Sequence, residues 1–328
     1  MNSVFIYLVS PRSILGLNLE YIFFIIFLIW QLYYLNFHKL NNIIWLGLWI
    51  INILLLTLIN YSEVKDIFEI LKEIARGFLI FILLNNFKYE NNKYKIKVPY
   101  IFLAINIIIS ILQFNEFSSI SEMYSQDDLY GRASGVFKYL HSNILFYTLF
   151  LLILPVKNFS FTFILIGNIL TLSKLALINL FFYRLNVRII LICLLIVIPF
   201  LIYLDFYNDD RVLSQLNALI NFSESTSFTE RRGQIFNYNL YDYIFPRYSP
   251  GTIGLNSHRV EITAFNLLIT HGIFGFILYC YALFNLLAKN KYLFGILFIM
   301  ILIGSPIDEP KAIVCAYFLM SYYHVKNK

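Results

Sequence analysis

Charged residues are scarce in this chain. They make up 13% of its 328 residues, whereas 59% are hydrophobic and 19% are aromatic. A soluble domain carries about 25% charged and about 45 to 50% apolar residues. The excess of apolar residues excludes an ordinary soluble domain and also a disordered chain. The composition therefore indicates a polytopic membrane protein.

Motifs for cofactors and metals are also missing. The three cysteines, Cys193, Cys280 and Cys315, lie in apolar stretches without the paired spacing of a zinc, iron–sulfur or redox site, so we expect them to be packing residues. The sequence has no Walker A motif, no dinucleotide fingerprint, no HExxH and no Asp-x-Asp pair. We predict no cofactor and no metal, so a reaction must use a substrate that is already activated.

The net charge of +6 comes mostly from lysines and arginines in short loops between apolar runs. In a membrane protein this arrangement sets the orientation, so we expect no nucleic-acid partner. The segment 88–97 combines several lysines with a single acid, Glu90, and the positive-inside rule places it in the cytoplasm. Alternation of the spans then places 115–142 and 205–261 on the outer side.

The apolar runs predict an all-α polytopic fold with about eleven transmembrane helices, forming a single transmembrane domain over residues 1–328. The number of crossings is open between 159 and 183, where the runs are short. The predicted spans are 19–35, 43–60, 77–87, 98–114, 143–156, 159–172, 175–183, 188–204, 262–288, 292–304 and 312–324. Residues 63–76 predict an interfacial amphipathic helix without chemistry of its own.

The predicted outward loop 205–261 is long, and long loops tend to carry function. Its cations are all arginines, whose planar guanidinium groups match phosphate in two-point contacts. They are Arg211, Arg231, Arg232, Arg247 and Arg259. Arg231 and Arg232 precede an apolar and aromatic stretch, 235–245, which we expect along the membrane surface, at the depth of a lipid-linked phosphate. The alternative is a solvated cap with weak surface ion pairs.

The other predicted outward loop ends in the motif GRASGVF at 131–137, followed by His141 and Asn143 at the start of a span. Gly131 and Gly135 allow a tight backbone beside Arg132. Asn143 is placed to cap the helix that follows. Turn and capping chemistry alone would also explain these residues.

A third cluster begins with PGTIG at 250–254 and continues with His258, Arg259 and Glu261. A glycine-rich turn with an imidazole, a guanidinium and a carboxylate at a membrane mouth suits general-base chemistry beside an anion. A single histidine in this place is also common as an interfacial residue. His38, His271 and His324 have no such neighbours in the sequence, and we interpret them as structural.

Together these motifs resemble the O-antigen polymerase and O-antigen ligase superfamily, polytopic bacterial enzymes that act on lipid-linked glycans. The family's Arg-x-x-Gly-x-Phe motif and helix-starting asparagine are matched by 132–137 and Asn143, and its Thr-x-Ser-Arg element by 171–174, with Lys174 in place of arginine. Its early loop arginine, its glycine turn and its Gly-x-x-Gly span are matched by Arg231 or Arg232, by Gly251 and Gly254, and by Gly272 and Gly275. The resemblance covers roughly residues 130–285.

The resemblance implies a metal-independent polymerase at the periplasmic face of the inner membrane, which transfers a growing glycan from undecaprenyl pyrophosphate onto a lipid-linked repeat unit. It implies Arg132 and Arg231 or Arg232 on the pyrophosphate, and Glu261 or His258 as acceptor of the hydroxyl proton. The predicted substrate-binding residues are His141, Asn143, Lys174, Arg247 and Arg259. The implied partners are the lipid-linked oligosaccharide, the bilayer, a chain-length regulator and a flippase.

Other functions stay open at this point. In the ligases, which move finished glycan to lipid A core, a histidine stands eleven residues before the Gly-x-x-Gly span; this chain has Glu261 there. That departure favours the polymerase. A flippase for lipid-linked sugars usually has repeated halves and midplane charge, and the sequence shows neither. A structural membrane scaffold fits the arginine-rich loop least.

Overall fold

The computed structural model describes residues 2–14, 17–33, 35, 40–60, 66–86, 97–115, 120, 123–124, 133–137, 139–154, 158–171, 238–246, 263–287 and 309–322. This part of the chain is mostly helical. Its helices are α1 (Asn2–Val9), α2 (Glu20–Tyr33), α3 (Leu40–Ile59), α4 (Ile67–Asn86), α5 (Lys97–Phe114), α6 (Leu140–Ile153), α7 (Asn158–Leu170), α8 (Leu240–Ile244), α9 (Thr263–Leu287) and α10 (Pro310–Met320). Two short strands, β1 (Ser13–Ile14) and β2 (Leu17–Asn18), pair antiparallel and depart from the predicted all-α fold.

Three of the described helices are long and apolar enough to cross a membrane. They are Asn41–Ile59 in α3, Lys97–Phe114 in α5 and Ala264–Ala282 in α9. In α3, apolar side chains such as Leu54 and Leu58 are exposed, whereas the polar Asn52 is buried. Apolar side chains outside and polar side chains inside are typical of helices that face lipid. The described helices are therefore compatible with a membrane protein.

Most predicted spans in the described part coincide with helices. The runs 19–35, 43–60, 98–114 and 262–288 correspond to α2, α3, α5 and α9. The runs 175–183, 188–204 and 292–304 lie outside the described residues. The count of about eleven spans, the placement of the loops in the periplasm and the single domain over 1–328 therefore stay predictions.

Helix α4 joins two elements that the sequence predicts one after the other. The amphipathic stretch 63–76 and the span 77–87 form one continuous helix from Ile67 to Asn86. Asp66 precedes it, and its Oδ1 accepts hydrogen bonds from the backbone N–H groups of Phe68 at 2.9 Å and Glu69 at 3.4 Å. An aspartate in this position satisfies amide donors that a helix leaves free at its start.

The described residues divide into two compact units. Unit 1 contains those within 1–23, 89–228 and 322–328, and its helices α5, α6 and α7 pack together. Phe102 of α5 packs edge-on against Phe146 of α6, with ring centroids 5.0 Å apart. The core of unit 1 is therefore aromatic, as the 33 phenylalanines of the sequence lead one to expect.

Unit 2 contains the described residues within 24–88 and 229–321. In it α3 packs against α4 and α9, and α8 packs against α9. Trp45 and Trp49, one helical turn apart on α3, stack with ring centroids 5.9 Å apart. Trp45 Nε1 donates a hydrogen bond to Leu278 O at 2.8 Å, which ties α3 to α9.

Candidate functional site

Residues 133–137, the second part of the GRASGVF motif, form a turn that is buried inside unit 1. Ala133, Val136 and Phe137 are fully buried, and Ser134 is as well. Gly135 has φ +62°, a backbone conformation that glycine adopts without strain. A Cβ atom at this position would lie 2.1 Å from Asn106 Oδ1. The expected role of Gly135 in a tight backbone is therefore confirmed, and we call residues 133–137 the buried turn.

Gln113 of α5 holds the centre of the buried turn with both ends of its amide. Its Oε1 accepts the Gly135 N–H at 2.8 Å, and its Nε2 donates to Gly135 O at 3.0 Å. A buried backbone N–H or C=O without a partner costs about 1 to 3 kcal/mol. The Gln113 side chain removes this cost at a position where no helix or sheet supplies partners.

Asn106, two turns earlier on α5, binds the next residue of the turn. Its Oδ1 accepts the Val136 N–H at 2.9 Å. Its Nδ2 donates to Asn143 Oδ1 at 2.8 Å and to the Tyr147 hydroxyl at 3.0 Å. One amide therefore connects the turn to both α5 and α6.

The expectation that Asn143 caps a helix is wrong. Helix α6 begins at Leu140 with Tyr139 as its N-cap, and no side chain caps it there. Asn143 lies inside the first turns of α6, fully buried, and its Nδ2 donates to Ala133 O at 3.2 Å. The three amides of Asn106, Gln113 and Asn143, which we call the amide clamp, hold the buried turn.

Helix α7 holds the start of the buried turn. Ala133 N donates to Leu170 O at 3.0 Å, at the end of α7. Gly167 lets α7 approach α6 closely, since a Cβ there would lie 2.3 Å from the Tyr147 hydroxyl. Because the N–H and C=O of Ala133 are both bonded, the residue that directly follows Arg132 is fixed to α6 and α7.

The structure describes little of the other predicted site residues. Helix α6 includes His141, and the Asn143 side chain takes part in the clamp. The remaining residues lie outside the described ranges: Arg132, Lys174, Arg231, Arg232, Arg247, His258, Arg259 and Glu261. Their roles in catalysis and substrate binding, and that of His141, stay predictions.

Unit 2 contains a cluster of ionisable side chains that the sequence reading missed. His271 Nε2 lies 3.3 Å from Glu73 Oε2, and Arg76 Nη1 lies 2.9 Å from the same oxygen. The imidazole is 2% exposed, and the Glu73 and Arg76 side chains are 12% and 14% exposed. We call Glu73, Arg76 and His271 the charged cluster.

Helix α3 fixes the charged cluster from the side. Trp49 Nε1 donates to Glu73 O at 3.1 Å, and the Trp49 ring lies 5.0 Å from the His271 ring. Gly77, directly after Arg76, makes room for this tryptophan, because a Cβ there would lie 2.2 Å from Trp49 Cδ1. The cluster is thus held by residues far apart in the sequence.

The long helix α9 is broken directly after His271. Gly272 has φ +67° and ψ 177°, which are not helical values. The carbonyl oxygen of His271 accepts a hydrogen bond from Asn52 Nδ2 at 3.2 Å, so a side chain of α3 satisfies a carbonyl at the break. The Gly-x-x-Gly span of the sequence therefore contains a backbone break at its first glycine.

A segment of the predicted outward loop lies on this break. A Cβ at Gly272 would lie 2.9 Å from Ile244 O, and Asn60 Nδ2 donates to Pro246 O at 3.0 Å. The neighbouring helix α8 exposes Leu240 and Tyr241 and buries Asp242. Burial, and then the Asp242 carboxylate, raise the pKa of Tyr243.

Two signals in the sequence point to the charged cluster. Glu73 and Arg76 are three residues apart on one helix, a spacing that lets their side chains meet. A histidine within an apolar span is itself a reason to look for function. Neither signal indicates that His271 contacts Glu73. Only the packing of α4 against α9 reveals this contact.

Within the described ranges, no group of three or more His, Cys, Asp and Glu side chains could hold a metal ion. Of the cysteines there, Cys315 is buried and Cys280 partly buried, and both are free thiols. The chain matches no family model, no curated protein and no solved structure.

Proposed function

We propose that this chain is a surface-polysaccharide polymerase of the O-antigen type, located in the bacterial inner membrane with its site toward the periplasm. It transfers a growing glycan from undecaprenyl pyrophosphate to a hydroxyl group of a lipid-linked repeat unit. A chain-length regulator and a flippase are the proposed partners. The apolar helices support the membrane location, and the motifs at 131–143 and 231–275 support the reaction.

The observation that carries this proposal is the amide clamp. Asn106, Gln113 and Asn143 fix the backbone of the buried turn, which directly follows Arg132. A donor that stabilises a leaving group is most effective when its position is fixed before the reaction begins. The buried turn supplies a fixed backbone directly after this arginine in the sequence.

The leaving group of the proposed reaction is a diphosphate, so negative charge develops on it as the glycosidic bond breaks. We assign this charge to Arg132 and to Arg231 or Arg232. Removing one such donor typically costs about 2.7 to 4 kcal/mol of barrier. The sequence motifs suggest Glu261 or His258 as acceptor of the hydroxyl proton, and His141, Lys174, Arg247 and Arg259 for substrate binding. Asn143, fully buried in the amide clamp, contributes by holding the buried turn.

The test is complementation of a strain that lacks the gene. We expect Arg132→Ala, at normal protein levels, to leave lipopolysaccharide with a single repeat unit. The matched control is Arg184→Ala, in a predicted inward loop, which should restore the full ladder. A full ladder from Arg132→Ala contradicts the proposal. Bare core together with polymer still on undecaprenyl pyrophosphate identifies a ligase instead.

A flippase for lipid-linked oligosaccharides is the second candidate. The charged cluster beside the break in α9 favours it, because broken helices and buried ionisable groups are typical of transporters. Translocation of a fluorescent lipid-linked oligosaccharide by purified protein in vesicles, without glycan transfer, would establish this function.

A further inference from the structure

We propose that His271 and Glu73 form a proton-accepting dyad in unit 2, which takes the proton from a hydroxyl group of the acceptor sugar. The inference rests on the proposed function for the identity of that hydroxyl. It assigns to His271 the role for which the sequence suggested Glu261 or His258. Both residues of the dyad belong to unit 2.

The geometry gives the two nitrogens of His271 different tasks. Nε2 lies 3.3 Å from Glu73 Oε2, and we assign the hydrogen of the neutral ring to this nitrogen. Nδ1 is buried and has no hydrogen-bond partner among the residues that the structure describes. In this tautomer Nδ1 carries a free lone pair, which is the requirement for a general base. A carboxylate that orients an imidazole from its far side is also the arrangement of catalytic triads.

Arg76 and helix α3 keep the dyad in place. Arg76 Nη1, 2.9 Å from Glu73 Oε2, supplies the charge opposite to that of the carboxylate. Trp49 holds the Glu73 carbonyl oxygen and packs against the imidazole, while Asn52 holds the His271 carbonyl oxygen. The imidazole thus lies between the Trp49 ring and the Glu73 carboxylate.

The other ionisable groups near the dyad are few. Helices α3, α4, α8 and α10 pack against α9. Helix α3 has no charged residue, and α4 contributes Glu73 and Arg76, with Glu69 and Lys72 one turn earlier. Helix α8 carries Asp242, and α10 carries Lys311. In the described part of unit 2, Glu73 is the acid within ion-pair distance of the imidazole.

The step is a simple proton transfer coupled to substitution. The O–H bond of the acceptor hydroxyl breaks, and its proton goes to Nδ1. The oxygen forms a bond to the anomeric carbon of the donor glycan, while the bond from this carbon to the diphosphate breaks. The diphosphate leaves with the electron pair, and the imidazolium, stabilised by Glu73, later returns its proton to water.

The experiment uses purified full-length protein added to membranes of a deletion strain, in which the lipid-linked repeat unit accumulates. Polymer formation is timed across a range of pH, since a general base accepts a proton only in its unprotonated form. With wild-type protein the rate should fall toward low pH, since a protonated imidazole accepts no proton. With His271→Gln the rate per folded molecule should drop by about 100-fold or more, and its dependence on pH should flatten.

Two further variants separate chemistry from folding. Glu73→Gln keeps the shape of the side chain but not its charge, and should also lower the rate by about 100-fold or more. If His271→Gln does not fold, the result for Glu73→Gln tests the inference. His38→Gln is the matched control and should behave as wild type in rate and pH profile.

The outcomes distinguish the inference from the function on which it rests. A wild-type rate and pH profile from folded His271→Gln, or from Glu73→Gln if the former does not fold, overturns the inference alone. No polymer from wild-type protein overturns the proposed function and the inference with it. If His271→Gln loses oligosaccharide translocation but keeps glycan transfer, the inference is also overturned.

Discussion

Units 1 and 2 each bury a polar cluster, and the two clusters differ in charge. The amide clamp of unit 1 is neutral, and Asn106 and Asn143 are fully buried. The charged cluster of unit 2 places Glu73 and Arg76 where 12% and 14% of their side-chain surface stays exposed. The carboxylate and guanidinium of the charged cluster thus keep more contact with solvent than the two asparagines of the amide clamp.

The difference follows from what each cluster binds. An amide offers a donor and an acceptor together, so Gln113 satisfies both backbone groups of Gly135 without any cost for burying a charge. Charged side chains cost several kcal/mol each to bury and need opposite charges beside them. A neutral clamp suits an irregular backbone turn, whereas a charged cluster suits proton transfer.

The largest effect should come from a side chain inside the amide clamp. Gly135→Ala places a Cβ atom 2.1 Å from Asn106 Oδ1 at a residue with φ +62°. The left-handed backbone costs about 1 to 2 kcal/mol, and each clamp bond that breaks leaves a buried group costing about 1 to 3 kcal/mol. We therefore expect Gly135→Ala to yield little folded protein. Thermal unfolding in detergent measures this loss of stability.

The control for this glycine is Gly47 of α3, where nothing lies within 4 Å of an added Cβ. Gly47→Ala should leave stability unchanged or raise it by about 1 kcal/mol, because alanine favours the helix. Equal unfolding temperatures for the two glycine variants would show that the buried turn is not held as described.

The next effect concerns the charged cluster. Glu73→Ala leaves Arg76 and His271 without their carboxylate, and breaking a buried pair in this way costs about 3 to 5 kcal/mol. The double variant Glu73→Ala with Arg76→Ala should recover part of this loss, since the guanidinium beside the missing carboxylate is removed as well. A double-mutant cycle on thermal unfolding measures the recovery; additive losses would mean that the pair is not coupled.

Asn143 allows a sharper test of the clamp. Serine caps helices as well as asparagine does, so Asn143→Ser would be harmless if Asn143 were a cap. Because Asn143 instead bonds Ala133 O and Asn106 Nδ2, we expect a loss of about 1 to 3 kcal/mol. Unfolding of Asn143→Ser at the wild-type temperature would restore the capping interpretation.

The smallest effect should come from the break in α9. Asn52→Ala removes one neutral hydrogen bond to the His271 carbonyl oxygen, worth about 0.5 to 1.5 kcal/mol. The reaction rate per folded molecule should keep its pH profile, because the imidazole and Glu73 are unchanged. A flattened profile would mean that Asn52 acts on the dyad as well as on the backbone.

Much of the local structure could be predicted from the sequence. Runs of apolar residues located α3, α5 and α9 to within a few residues, because a helix that crosses lipid must satisfy its own backbone and present apolar side chains. Glycine at position 135 indicated a tight turn, since few other residues adopt such a backbone. The predicted arginines and the cluster at 250–261 lie outside the described residues, so this part of the site stays a prediction.

The sequence by itself determined the apolar character of the chain, the places of α3, α5 and α9 and the turn at Gly135, since these depend on composition and on neighbours along the chain. Only the tertiary structure decided that Asn143 binds a turn and that Glu73 meets His271. Those contacts join residues far apart in the sequence. An amide can serve equally well as a cap or a clamp, and an acid as a cap or an ion-pair partner. Packing chooses among these roles by bringing one partner within hydrogen-bond distance and excluding water from the others.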